Sequence, residues 1–185
     1  IDFYFKKILR KYFFLKKNKS LKKINENKRI FLLGNAPSLN DCDLKKLKNE
    51  IVIMVNKSFE HPDYEIVKPK YHIFVDPKLA NGQWPLEYLD IVYKKNPNVN
   101  LLLNAKWYHL EKFSKFRDKK NIYWIKNKSI SLLFDNLNYD LTTLFASGAV
   151  IEQGLCLAIY SGSKKIYIHG VELNGIAYLM TGKES

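Results

Sequence analysis

The chain has 185 residues, 46% of them hydrophobic and 26% charged, the proportions of a folded domain rather than of a disordered or fibrous chain. A chain of this length buries roughly 70% of its unfolded surface, so neither disulfides nor a structural metal is required to hold a core together. Thirty-one basic residues against eighteen acidic give a net charge of +13, yet only Arg10, Arg29 and Arg117 are arginines, which argues against a dedicated nucleic-acid surface.

Between Ile1 and Lys28 there are ten basic residues and two acidic ones. The basicity is therefore concentrated in an N-terminal arm. Within it Phe5, Ile8, Leu9, Tyr12 and Phe13 recur at helical spacing, bordered by Lys6, Lys7, Arg10, Lys11, Lys16 and Lys17. Charges interrupt the arm too often for it to span a bilayer, which needs about 20 apolar residues. Two readings follow for the segment Ile1 to Lys28: a basic amphipathic helix lying on an anionic membrane, or a helix packed on its own domain or on another copy of the chain as a homo-oligomer. The first residue is Ile1 rather than Met, so the sequence is expected to be cut short, at the C-terminal end as well.

The pattern then changes to short apolar runs at Arg29 to Leu33, Ile51 to Val55, Tyr71 to Val75, Asn100 to Leu103, Ile122 to Ile125 and Lys165 to His169, all strand-like. Helices are predicted over Leu39 to Lys48, Trp84 to Lys95 and Ala149 to Tyr160, and a loop or lid over Lys126 to Thr143. Continuous apolar strands alternating with helices predict a Rossmann-like α/β domain over residues 29–185, a mainly parallel sheet with helices on both faces. Cys42 and Cys156 lie far apart without ligand spacing and read as free thiols in a reducing compartment, hence a cytoplasmic protein, peripheral on the inner face of the membrane if the arm docks there.

Sites in such sheets lie beyond the carboxyl ends of the strands. The first strand is followed by Gly34, Asn35, Ala36, Pro37 and Ser38. There Gly34 allows close backbone approach, Pro37 starts a helix and Ser38 can satisfy its free amides. The turn is neither a Walker A loop nor Gly-x-Gly-x-x-Gly. The next strands end at Asn56 and Asp76. Ser147 and Gly148 open the last helix, whose amides and dipole suit an anion. The final strand leads to Glu172, with Tyr178 beyond. Each of these taken alone also has a plain structural reading as a turn or cap.

Together, the series from Phe31 to Leu39 with Asn56, Asp76-Pro77, Ser147-Gly148 and Ile166 to Glu172 resembles the bacterial lipooligosaccharide sialyltransferases. It equally resembles the broader hydroxymethylpterin pyrophosphokinase-like family. The resemblance covers about Arg29 to Tyr178. On the sialyltransferase side it implies CMP contacts for Asn35, Asn56, Ser147 and Gly148, a donor-phosphate role for Tyr178, no required cofactor, and a catalytic histidine beyond Ser185. Asp76 departs from that pattern, since a carboxylate beside a phosphate is repulsive unless it is protonated, separated by water or bridged by a cation. On the pyrophosphokinase side ATP and Mg²⁺ are implied, with Asp76 and Glu172 as metal ligands.

The leading expectation is a glycosyltransferase that moves a sugar, such as sialic acid from a CMP donor, to a surface glycan or glycolipid. The enzyme alternative is a metal- and ATP-dependent pyrophosphokinase-like transferase. The non-catalytic alternative is a nucleotide- or glycan-binding scaffold. The expected nucleotide-binding residues are Gly34, Asn35, Ser38, Asn56, Asp76, Ser147, Gly148, Glu172 and Tyr178.

Overall fold

The computed structural model describes residues 12–128, 140–142, 145–146 and 149–172. In chain order the strands are β1 (Arg29–Leu33), β2 (Ile51–Val55), β3 (Tyr71–Phe74), β4 (Asn100–Asn104), β5 (Ile122–Ile125), β6 (Asn127–Lys128), β7 (Phe145–Ala146) and β8 (Lys165–His169). Six of them form one sheet in the order β5-β4-β3-β2-β1-β8, and every pairing in it is parallel. β6 and β7 pair separately. The predicted parallel α/β architecture is thus observed, with each of the six expected strands within one residue of its predicted end.

The strands are apolar on both faces because both faces are covered. Val52, Met54, Phe74, Leu101, Leu103, Ile122 and Trp124 belong to one core, and Ile30, Leu32, Ile53, Val55, Tyr71, Ile73 and Leu102 to the other. This alternation follows from the two-residue period of a strand. Leu101, Leu102 and Leu103 are fully buried, each contributing about 1.5–3 kcal/mol. β8 is different. At the sheet edge, it exposes Tyr167 and Ile168, and Tyr167 stacks on Phe31 of β1.

Among the described residues four α-helices cover the sheet: α1 (Tyr64–Val67), α2 (Pro77–Asn81), α3 (Glu87–Lys95) and α4 (Val150–Tyr160). Tyr64, Leu79, Leu89 and Val92 carry the first three into one core, while Cys156, Leu157 and Ala158 carry α4 into the other. The helix expected over Leu39 to Lys48 is replaced by two short 3-10 turns, Pro37–Asp41 and Leu44–Leu47. Asn40, Asp41 and Asp43 offer the backbone local alternatives to a continuous helix, and Cys42 between the turns is extended. Among the described residues no helix is long and apolar enough to cross a membrane.

Of the basic arm, residues 1–11 lie outside the described residues. The remainder packs on the sheet domain. Phe14 stacks on Tyr108 with ring centroids 3.7 Å apart, in the same core as Trp124. Asn18 is fully buried and donates from Nδ2 to the carbonyls of Trp124 and Leu141, at 2.8 and 2.7 Å. Lys17, from the basic border of the arm, donates to the carbonyls of Lys119 and Ile122, and burial pulls its pKa down. Further on, the amides of Lys23, Asn25 and Asn27 donate to the carbonyls of Tyr160, Ser161 and Gly162, fastening this segment to the end of α4. Residues Phe13–Leu21 are 3-10 rather than α-helical, so Phe13 turns outward while Phe14, Leu15, Asn18 and Leu21 turn in.

Candidate functional site

The chain runs outward from β1 through β5 on one side and returns to place β8 on the other. The order therefore reverses at β1, and in open parallel sheets the crevice at such a reversal, beyond the carboxyl ends, is where ligands bind. At the exits of β1 and β8 the backbones nearly touch. The amide of Gly34 donates to the His169 carbonyl at 2.9 Å, and that of Ala36 to the Gly170 carbonyl at 3.0 Å. A Cβ on Gly34 would collide with the Gly170 carbonyl, which is why the turn needs glycine there. Gly170 itself has φ +65°. Glu172 then reaches back, its Oε1 accepting from the Ser38 amide at 2.9 Å. The cap of the turn after β1 is thus Glu172 rather than the Ser38 side chain, and the two predicted residues meet through this bond.

Above this floor lies a cavity of about 150 Å³ lined by Gly34, Asn35, Gly170 and Glu172 together with Val150 and Ile151 from the first turn of α4. A second cavity, about 270 Å³, continues from Asn35 towards Lys57, Glu60 and His61. Lys57 and Glu60 are 3.9 Å apart.

The third cavity, about 430 Å³, lies over the exits of β2, β3 and β4. Its walls include Asn56, Asp76, Asn104, Lys106, Trp107, Val150 and Gln153. It shares Val150 with the 150 Å³ cavity, so the start of α4 borders both. Asp76 and Asn104 do the same local work. Asn104 ends β4 and Asp76 follows β3, and each accepts a backbone amide two residues on, from Lys106 at 3.0 Å and Lys78 at 2.9 Å, the usual action of an Asx cap.

Asn56 is held differently. It has φ +46°, a left-handed backbone that costs energy in a non-glycine residue unless the surroundings fix it. His72 fixes it. Its Nε2 lies 2.8 Å from the Asn56 carbonyl and its Nδ1 lies 3.1 Å from the Tyr64 hydroxyl. A carbonyl can only accept, so Nε2 carries the proton and Nδ1 accepts from Tyr64. Burial pushes His72 down to about 4, so the ring is neutral at physiological pH. Burial pushes the Tyr64 hydroxyl far up, which keeps it a donor.

The side chains at this rim are less satisfied than the backbone. Asn56 Oδ1 and both polar atoms of Gln153 are buried without a hydrogen-bond partner, although Gln153 is only 1% exposed. Buried polar groups left unpaired cost about 1–3 kcal/mol each. Asn18 Oδ1, the Tyr93 hydroxyl and Trp124 Nε1 are unpaired as well; Asn56 and Gln153 differ from these in lining a cavity, where a water, an ion or a ligand can reach them.

The structure therefore brings Gly34, Asn35 and Glu172 around one cavity and Asn56 and Asp76 around its neighbour. Ser38 joins the first set through its amide alone. Ser147, Gly148 and Tyr178 lie outside the described residues. Sequence reasoning missed Asn104, Lys106 and Gln153. Asn104 had a readable signal, since it ends its strand as Asn56 and Asp76 follow theirs. Gln153 had none beyond standing, beside Glu152, in a mostly apolar helix.

Among the described residues no group of three or more His, Cys, Asp or Glu side chains is placed to hold a metal. Asp76 and Glu172 line different cavities. The donor set at Asp76 is a carboxylate oxygen, a hard ligand. A single carboxylate suits a cation such as Mg²⁺, which keeps waters and completes its shell with substrate phosphates.

Comparison with known proteins gives one family assignment. No curated protein matches the chain. A family model does, over residues 6–175, a span that takes in the whole sheet and every described wall of the three cavities. The chain belongs to the MptE-like family, whose description is 6-hydroxymethylpterin diphosphokinase MptE-like, and with it to the transferases.

Proposed function

We propose that this protein is a pyrophosphokinase-like transferase, moving a diphosphate group from a nucleoside triphosphate to the hydroxyl of a small acceptor at the carboxyl rim of the sheet. The observation that carries the reading is the crevice at the β1/β8 reversal opening beside the Asp76 cavity, in a chain of this family. The order of the two enzyme expectations is accordingly reversed. Transfer of a sugar from a CMP donor becomes the second reading.

In the reaction the acceptor hydroxyl oxygen forms a bond to the β-phosphorus. The bond from that phosphorus to the oxygen bridging the α-phosphorus breaks, nucleoside monophosphate leaves, and the hydroxyl proton passes to a base. Catalysis of such a transfer is mostly positioning and charge stabilisation. Asp76 would hold the divalent cation, which when bound neutralises phosphate charge. Lys106 in the same cavity and Lys57 in the 270 Å³ cavity supply further positive charge. The first turn of α4 borders the crevice, and a helix N-terminus favours an anion. Neutral His72, by fixing Asn56, keeps the β2 exit in one shape.

The test is a transfer assay followed by ³¹P NMR, with ATP, Mg²⁺ and 6-hydroxymethylpterin as the hydroxymethyl acceptor. The expected products are AMP and a diphosphate monoester, with none formed in EDTA. Formation of ADP instead, or stabilisation by CMP that persists in EDTA together with sugar transfer from a CMP donor, would replace this reading with a kinase or with the glycosyltransferase.

A further inference from the structure

The 430 Å³ cavity combines apolar walls from Val75, Pro77, Trp107 and Val150 with amide atoms that have no partner. The mix is selective. Gln153, 1% exposed, has an unpaired acceptor, Oε1, beside an unpaired donor, Nε2; Asn56, 7% exposed, adds a second unpaired acceptor, Oδ1. A side chain amide with both ends open is complementary to a ligand edge that presents a donor and an acceptor side by side. With two acceptors and one donor waiting, the matching edge carries an amino group, whose two protons serve two oxygens, next to a ring nitrogen that accepts.

We propose that Gln153, with Asn56, is a specificity-determining residue that reads the amino-aza edge of a planar heterocycle seated in this cavity. The inference rests on the proposed transferase reading and deepens it by naming the chemistry of one bound ring. The edge is found on adenine and cytosine and on 2-aminopteridines. It could therefore come from the base of the donor nucleotide or from the acceptor. A site built to pair with a polar edge rejects the analogue that lacks it, because its own buried groups are then left open. Leaving Gln153 without a partner inside the protein costs the fold stability.

Two sets of probes separate the sources, with binding to the full chain measured by titration calorimetry in Mg²⁺. The first set is ATP and CTP against ITP and UTP. The second is pterin against lumazine, which carries an oxygen in place of the 2-amino group. A preference of about ten- to a hundredfold for the amino member is expected in one set; the first set would assign the edge to the donor base, the second to the acceptor. Equal binding within both sets would overturn the proposal and leave the transferase reading standing, and no binding of any probe would sink both.

The variant Gln153→Met keeps side-chain volume and removes both open polar atoms. It is expected to unfold at a higher temperature than the parent and to lose the amino preference while still binding the ligand's phosphates. A destabilised Gln153→Met that retains the preference would assign Gln153 to internal structure and end the proposal.

Discussion

Two stretches of the same rim are built on opposite principles. Where β1 and β8 emerge, backbone meets backbone. Gly34 and Gly170 approach so closely that no side chain fits, and the amides of Gly34, Ala36 and Ser38 all find acceptors. Where β2, β3 and β4 emerge, side chains stand back around about 430 Å³, and three buried polar atoms on Asn56 and Gln153 have no partner. The first stretch is satisfied by the fold itself. The second is left open by the fold, and under the proposed reading this separates the part of the site that sets shape from the part that would choose a ligand.

The contrast is most exposed to test at its tightest point. Gly34→Ala should cost about 3 kcal/mol or more, because the backbone carbonyl it meets cannot rotate away as a side chain would. Urea denaturation measures this, and a variant as stable as the parent would show that the floor is not closed.

Next in size is the support beneath Asn56. His72 titrates near 6.5 when unfolded and near 4 in the fold. Between those values the unfolded chain binds the extra proton, so stability is complete above about pH 6.5 and falls as pH drops towards 4. The loss attributable to this ring is about 3 kcal/mol. His72→Gln should flatten that part of the stability profile, and an unchanged profile would place the pH dependence elsewhere.

A smaller effect is expected at Asp76. Asp76→Asn keeps an oxygen for the Lys78 amide and removes the charge, so stability should change by less than about 1 kcal/mol. The added thermal stabilisation by ATP with Mg²⁺ over ATP in EDTA should vanish. If that increment survives, the cation sits on another residue. The smallest change is at the satisfied stretch, where Glu172→Ala frees the exposed Ser38 amide to water and should cost about 1 kcal/mol or less, read by the same denaturation.

The six sheet strands were legible because strands covered on both faces must be apolar throughout, and the runs from Ile51 to Val55 and from Tyr71 onward have few other uses. The rim was partly legible. Asn56 and Asp76 stand out as polar residues just past apolar runs, and Asn104 would have joined them had its strand been carried one residue further. The turn from Pro37 to Leu47 was misjudged because Leu39, Leu44 and Leu47 suggest a helix that Asn40, Asp41 and Asp43 interrupt. Gln153 was invisible for a deeper reason. Its importance lies in what it fails to bond, and a missing partner is a property of packing in space that no spacing along the chain encodes. The docking of Asn18 was hidden likewise, since both carbonyls it reaches lie more than a hundred residues away.

The position of β8 beside β1 makes the two edges of β1 depend on parts of the chain synthesised far apart. β1 can pair with β2 as soon as Val55 has emerged, but its other edge stays bare until Lys165–His169 is synthesised. An uncovered edge of this kind invites pairing with other chains. A chain halted before β8 would leave that edge of β1 unpaired and would lack Gly170 and Glu172, two walls of the 150 Å³ cavity.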